Sequence, residues 1–206
     1  MKHSANIGEL LQLQVDYVGF IFYKQSPRYV EESLKDVFFP DFVHKTGVFV
    51  DEPVTEISSR IRQYGLNAVQ LHGKESPEVC RQLKTTGIEV IKSFSINSEQ
   101  DFDLVEKYTD ACDYFLFDTP TAKYGGSGQK FDWNILQHYH AEIPFFLSGG
   151  IAPEDAERIR SFHHKSLYAI DLNSRFEISP GVKDIPKLKN FIQLIKNEQD
   201  KQFISN

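Results

Sequence analysis

Several things that would quickly narrow the class of this chain are scarce in it. It has only two cysteines, one methionine and one tryptophan in 206 residues. Cys80 and Cys112 show no metal-like spacing, which argues against a disulfide scaffold or a zinc site. No apolar run approaches the roughly 20 residues that a membrane span needs. The opening Met1-Lys-His-Ser-Ala-Asn-Ile-Gly-Glu has no apolar signal core. These absences make a reducing cytoplasm the default location and leave no role for a membrane. Low-complexity segments and linkers are also missing, so residues 1–206 read as a single domain.

An excess of basic charge is likewise absent. Twenty-three Lys and Arg stand against 29 Asp and Glu, for a net charge of −6, and the basic residues are scattered. That pattern does not suit nucleic acid, whose binding rests on clustered cations against phosphates. A small phosphorylated ligand remains compatible, because backbone N–H groups can hold a single phosphate.

What is present is alternation. Short apolar runs at Tyr17–Phe22, Gly47–Val50, Ala68–Leu71, Val90–Phe94, Tyr114–Phe117, Pro144–Leu147 and Leu167–Leu172 read as strands. Helical spacing fills the gaps: Ile57, Ile61 and Tyr64; Val79 and Leu83 after a Ser76-Pro77 start; Phe102, Val105 and Tyr108 after Ser98; Leu188, Ile192 and Ile195. Near-continuous apolar strands alternating with helices predict a parallel sheet covered by helices.

The strand ends favour a closed barrel over an open sheet. His72-Gly73, Asp118-Thr119, Ser148-Gly149-Gly150 and Asp171-Leu172-Asn173-Ser174 each follow a strand. In a (β/α)8 barrel all such ends meet on one rim, where the active site lies, whereas an open sheet uses those near one switch point. Seven strands are legible where eight are needed, and the chain starts at a helix-like segment carrying Ile7, Leu10 and Leu11. Asp118 stands out as a carboxylate that ends a buried strand just before a glycine-rich loop. That is a position for an acid or base, although capping the loop or pairing with a lysine is an equally ordinary use. Gly125-Gly126-Ser127-Gly128 lacks the Gly-Lys-Ser/Thr ending of a P-loop and suits a lid.

In order along the chain, Gly19-Phe-Ile-Phe-Tyr-Lys-Gln-Ser-Pro-Arg28-Tyr, Gly47-Val-Phe-Val, Ala68-Val-Gln-Leu-His72-Gly, Phe117-Asp118-Thr with Tyr124-Gly-Gly-Ser-Gly-Gln-Lys-Phe-Asp-Trp133, Leu147-Ser-Gly-Gly150 and Asp171-Leu-Asn-Ser-Arg-Phe-Glu177 closely resemble phosphoribosylanthranilate isomerase. The resemblance implies a (β/α)8 barrel performing an Amadori rearrangement in tryptophan biosynthesis, with no metal or organic cofactor. The implied partner is a small phosphorylated sugar–anthranilate; oligomeric state is not legible.

By that resemblance Asp118 is the general acid, with a pKa raised by desolvation. Gly149, Gly150, Asp171, Asn173, Ser174 and Arg175 are implied to form the phosphate and sugar site, with Arg175 where the family often has glycine. Arg28 is implied to meet the anthranilate carboxylate through its guanidinium fork, and His72 to contact substrate. Gly125, Gly126 and Gly128 are implied to be the lid over Asp118. The family's first strand ends Lys-x-Cys-Gly and carries its proposed general base. Met1 falls where the residue after that glycine belongs, so the expectation is a family member that begins one strand late, without the catalytic thiol. Cys80 and Cys112 are read as packing residues, and His3 and the Met1 amine as weak substitutes for the base. The alternatives are a truncated, catalytically impaired remnant that only binds sugar phosphates and, less favoured, an indole-glycerol-phosphate synthase-like barrel using Lys92.

Overall fold

A computed structural model describes residues 1–30, 37–118 and 133–196. Its centre is a parallel sheet of seven strands in sequence order: β1 Tyr17–Ile21, β2 His44–Phe49, β3 Ala68–Leu71, β4 Glu89–Ser95, β5 Tyr114–Asp118, β6 Phe145–Leu147 and β7 Leu167–Ile170. Each strand pairs only with its neighbours in sequence, which is the order a (β/α) barrel requires. Helices α1 Ser4–Leu11, α2 Val54–Tyr64, α3 Pro77–Lys84, α4 Phe102–Val105, α5 Ala156–Ser161 and α6 Ile185–Lys196 make the outer layer.

All seven expected strands form, with shifted ends. β2 starts earlier, at His44, because His44 stacks on Tyr17 at 4.4 Å and Lys45 takes its place in the ladder beside Val18. β7 stops at Ile170 rather than Leu172, and β5 runs one residue further, to Asp118. The helix expected after Ser98 is broken into α4 flanked by 3₁₀ turns at Glu99–Asp101 and Glu106–Tyr108. Asp101 Oδ2 accepts the Asn97 and Ser98 N–H groups at 2.7 and 2.8 Å and ties that entry down. A small antiparallel hairpin, β8 Glu177–Ser179 with β9 Val182–Lys183, was not legible in the sequence.

The period of two in each strand divides the apolar residues between two cores. Val18, Phe20, Val69, Leu71, Val90, Phe115 and Phe117 face outward to the helices and belong to the larger cluster. Ile91, Leu116 and Phe146, with Tyr17, Tyr114 and Ala169 against them, fill the inside of the curl. Tyr17 on the first strand reaches Phe146 at 5.0 Å and Tyr168 on the last at 6.3 Å. The sheet is therefore wrapped into a barrel, although among the described residues no strand pairs with the outer edge of β1 or β7, where β1 has only a parallel bridge from Ile21 to Tyr29. Cys80 and Cys112 are both fully buried and free.

Candidate active site

Alternation decides what reaches the barrel mouth. On β5, Tyr114 and Leu116 point inward, so Asp118, two residues on, does too. On β3 the same rule places Gln70 and then His72 on the inner face, and on β4 it places Ile91, Ser93 and Ser95 there. His72 Nε2 lies 3.8 Å from Asp118 Oδ2, facing it but too far for a hydrogen bond. Gln70 Nε2 sits 3.1 Å from both His72 Nδ1 and Ser93 Oγ. With that amide donating, the ring proton sits on Nε2, the nitrogen that faces the carboxylate.

His72 and Asp118 line one cavity of about 520 Å3, together with Ser93, Phe94, Ser95 and Leu104. The Asp118 side chain is 38% exposed, so the described walls alone desolvate it only in part. Gly125, Gly126 and Gly128, read as a lid, lie outside the described residues.

The other rim residues follow β6 and β7. Gly149 and Gly150 have φ of 91° and 66°, a left-handed pair that a side chain would strain. Ser148 Oγ donates to Asp171 Oδ2 at 2.9 Å, joining the ends of β6 and β7. Asn173, Ser174 and Arg175 are exposed, and the last two begin a 3₁₀ turn. Lys183 Nζ holds Leu172 O at 2.9 Å and Asn173 Oδ1 at 3.0 Å. Burial pushes the Lys183 ammonium below its ordinary pKa, while Asp171 and Glu177 act in the opposite direction.

Arg28 is not free. Its Nε and Nη2 grip Glu177 Oε2 at 2.9 and 2.6 Å, so part of the fork expected for substrate is spent on a neighbouring carboxylate. The Met1 amine donates to Gly19 O at 2.8 Å, and burial, with Lys183 adding to it, lowers its pKa to about 5. His3 is exposed.

Lys92 faces the helical layer rather than the barrel. It donates to Leu71 O, Gly73 O and Ser93 O at 3.1, 2.9 and 3.1 Å. A lysine so occupied does not serve the synthase-like alternative. The sequence reading missed Gln70, Ser93, Glu75, Glu177 and Lys183. Gln70 and Ser93 were findable, since each is two residues from a rim or core position on its strand; the others depend on contacts distant in sequence.

The comparisons with known proteins bear on the family and the fold. A family model described as N-(5'phosphoribosyl)anthranilate (PRA) isomerase matches residues 1–194. N-(5'-phosphoribosyl)anthranilate isomerase of Parabacteroides distasonis is 48% identical over 95% of this chain and 90% of its own. That of Phocaeicola vulgatus is 44% identical over 96% of each. The crystal structure of the Thermotoga maritima enzyme superposes with a TM-score of 0.83 at 34% identity, covering 96% of both chains. A structure of such an isomerase in complex with reduced 1-(o-carboxyphenylamino)-1-deoxyribulose 5-phosphate superposes with a TM-score of 0.81 at 32% identity, covering 96% of this chain and 95% of that one. With an aspartate and a histidine meeting at the mouth of a seven-stranded parallel curl, the chain belongs to the N-(5'-phosphoribosyl)anthranilate isomerase family of tryptophan biosynthesis.

Proposed function

We propose that this chain recognises N-(5-phosphoribosyl)anthranilate and that Asp118 is the acid of its Amadori rearrangement. The observation that carries the reading is Asp118 at the barrel mouth, 3.8 Å from His72 and lining the same cavity. Asp118 gives its proton to the ring oxygen as the C1–O bond breaks, and the anthranilate nitrogen lone pair closes a C1=N iminium. A base then takes the C2 proton, and those electrons form the enolamine, which tautomerises to the 1-amino-1-deoxy ketose. Neither step calls for a metal or organic cofactor.

Gly149, Gly150, Asn173, Ser174 and Arg175 hold the phosphate, in keeping with the loops after strands seven and eight of such barrels. Asp171 holds sugar hydroxyls, and His72 contacts the reacting end. The anthranilate carboxylate meets Arg28 through Nη1, which the Glu177 pair leaves out. The whole of 1–206 works as one cytoplasmic domain.

Among the described residues we assign no base, and the family's Lys-x-Cys-Gly strand, which carries its proposed base, serves as the probe. The test compares the 206-residue chain with one extended at its N-terminus by such a strand, following the loss of phosphoribosylanthranilate fluorescence. The extended form turns substrate over, and its Asp118→Asn variant loses about 100-fold or more in kcat. Full activity of that variant removes the assignment.

A second reading is favoured by the outer edges of β1 and β7, with which no strand pairs among the described residues. In it the 206-residue form binds the sugar phosphate without converting it. Rescue of a tryptophan auxotroph by that form ends this reading.

A further inference from the structure

Behind the His72 turn lies a buried ion pair that the reaction scheme does not use. Lys92 is 2% exposed and Glu75 6%, and Nζ stands 3.4 Å from Glu75 Oε2. An ammonium has three N–H donors. All three go to backbone carbonyls, Leu71 O, Gly73 O and Ser93 O, so the approach to Glu75 is a charge contact without a hydrogen bond. Glu75 Oε1 in turn accepts the N–H groups of Asp51 at 2.9 Å and Gly73 at 3.2 Å.

The two side chains thus bind backbone groups at the ends of β2, β3 and β4, and His72 lies between the two clamped residues Leu71 and Gly73. The turn has little slack. A Cβ on Gly73 would come within 2.7 Å of Asp51 N. Asp51 itself holds φ of 52°, and its Oδ1 takes the Lys74 N–H at 2.6 Å. Strain of that kind is kept where the surroundings over-determine the backbone.

Burying two charges costs several kcal/mol per ion, and apolar replacements of similar volume are often as stable or better. Stability alone therefore does not account for the pair. Three of its five backbone contacts, to Leu71 O and to both the C=O and the N–H of Gly73, fall on the residues either side of His72, and the other two tie that turn to Asp51 and Ser93.

We infer that Lys92 and Glu75 are positioning residues for His72, fixing its ring opposite Asp118 through the backbone on either side. The inference rests on the proposed role of Asp118 for its effect on turnover, but its geometric half stands apart from that role. In the 206-residue protein, D118N shifts the His72 imidazole 1H and 15N resonances, because the two side chains face each other. In a K92M/E75Q background, which is neutral and leaves no unpaired buried charge, the same D118N change leaves them unmoved.

In the turnover-competent extended chain, K92M/E75Q lowers kcat about 10- to 100-fold with KM held within about threefold, the cost of a misplaced group rather than lost binding. Should K92M/E75Q fail to fold, G73A displaces the same turn by its clash with Asp51 and is expected to abolish the same resonance response. A folded K92M/E75Q protein with the His72 response and kcat both unchanged overturns the inference, as does a wild-type His72 indifferent to D118N. If the extended chain turns over nothing while the resonance coupling behaves as stated, the isomerase reading falls and the positioning role stands.

Discussion

Arg28 and Glu177 lie 149 residues apart and form a forked ion pair, with Nη2 to Oε2 at 2.6 Å, joining the loop after β1 to hairpin β8–β9. Glu177 is 4% exposed at its side chain and also accepts the Gly181 N–H at 3.1 Å. Burial works against its ionisation, but Arg28, Lys183 and Gly181 outweigh it and hold the carboxyl below its ordinary pKa. A depressed carboxylate contributes stability above its unfolded pKa and loses it as pH falls through the folded value. Glu177→Gln is therefore expected to cost about 2–4 kcal/mol at pH 7 by urea unfolding, since it strands a guanidinium in a largely buried site. The gap between wild type and variant narrows as pH falls below the ordinary glutamate value of about 4.3 toward the depressed folded value.

His164 gives a pH effect in a different window. Burial lowers its pKa, partly offset by the contact of Nε2 with Tyr139 O at 3.1 Å. A base with a depressed folded pKa takes up its proton more readily in the unfolded chain. Stability from this site is complete above the unfolded value near 6.5 and declines as pH falls below it. Replacing His164 with Gln should flatten the change in urea midpoint between pH 7 and pH 5, by less than about 1 kcal/mol because the ring is partly solvated.

Gly150 tests the phosphate assignment separately from the acid. At φ of 66° an alanine costs about 1–2 kcal/mol of backbone energy, and the turn relaxes away from that conformation. Gly150→Ala is expected to weaken binding of inorganic phosphate about tenfold in a calorimetric titration while leaving the fold intact. Unchanged phosphate affinity in a folded variant would place the anion elsewhere.

The seven strands and the barrel mouth were legible because each strand is a short apolar run that stops at a polar residue, and Asp118 and His72 are those stops. What hid the rest was pairing across the sequence. His44 looks like a loop residue until Tyr17 stacks on it and Glu89 Oε1 lies 3.5 Å from its ring. Arg28 reads as a free guanidinium fork until Glu177 arrives from the far end of the chain. Lys92 reads as a rim lysine, but the strand period turns it outward with Val90 and Phe94, and only three carbonyls from two strand ends explain it. Local pattern reports which face a residue takes; it does not report who waits there.

The seam between β1 and β7 gives the last prediction. Tyr17 and Tyr168 touch across it at 6.3 Å, yet among the described residues no strand pairs there, and β1 has only the Ile21–Tyr29 bridge and the Met1 amine on Gly19 O along that edge. Such edges carry unpaired backbone groups that template pairing with other chains. Tyr168 is 50% exposed although it points into the curl, so the gap also leaves the inner core half-covered. A parallel strand inserted there would satisfy both edges and bury those rings at once. Extending the chain ahead of Met1 by a short apolar strand is expected to raise the melting temperature by several degrees, since even about 1 kcal/mol moves a domain of this size about 2–4 °C. The unfolding transition should also sharpen, and the aggregated fraction seen by light scattering should fall. Identical melting and scattering for the two forms would mean that the edges are already satisfied by some other pairing.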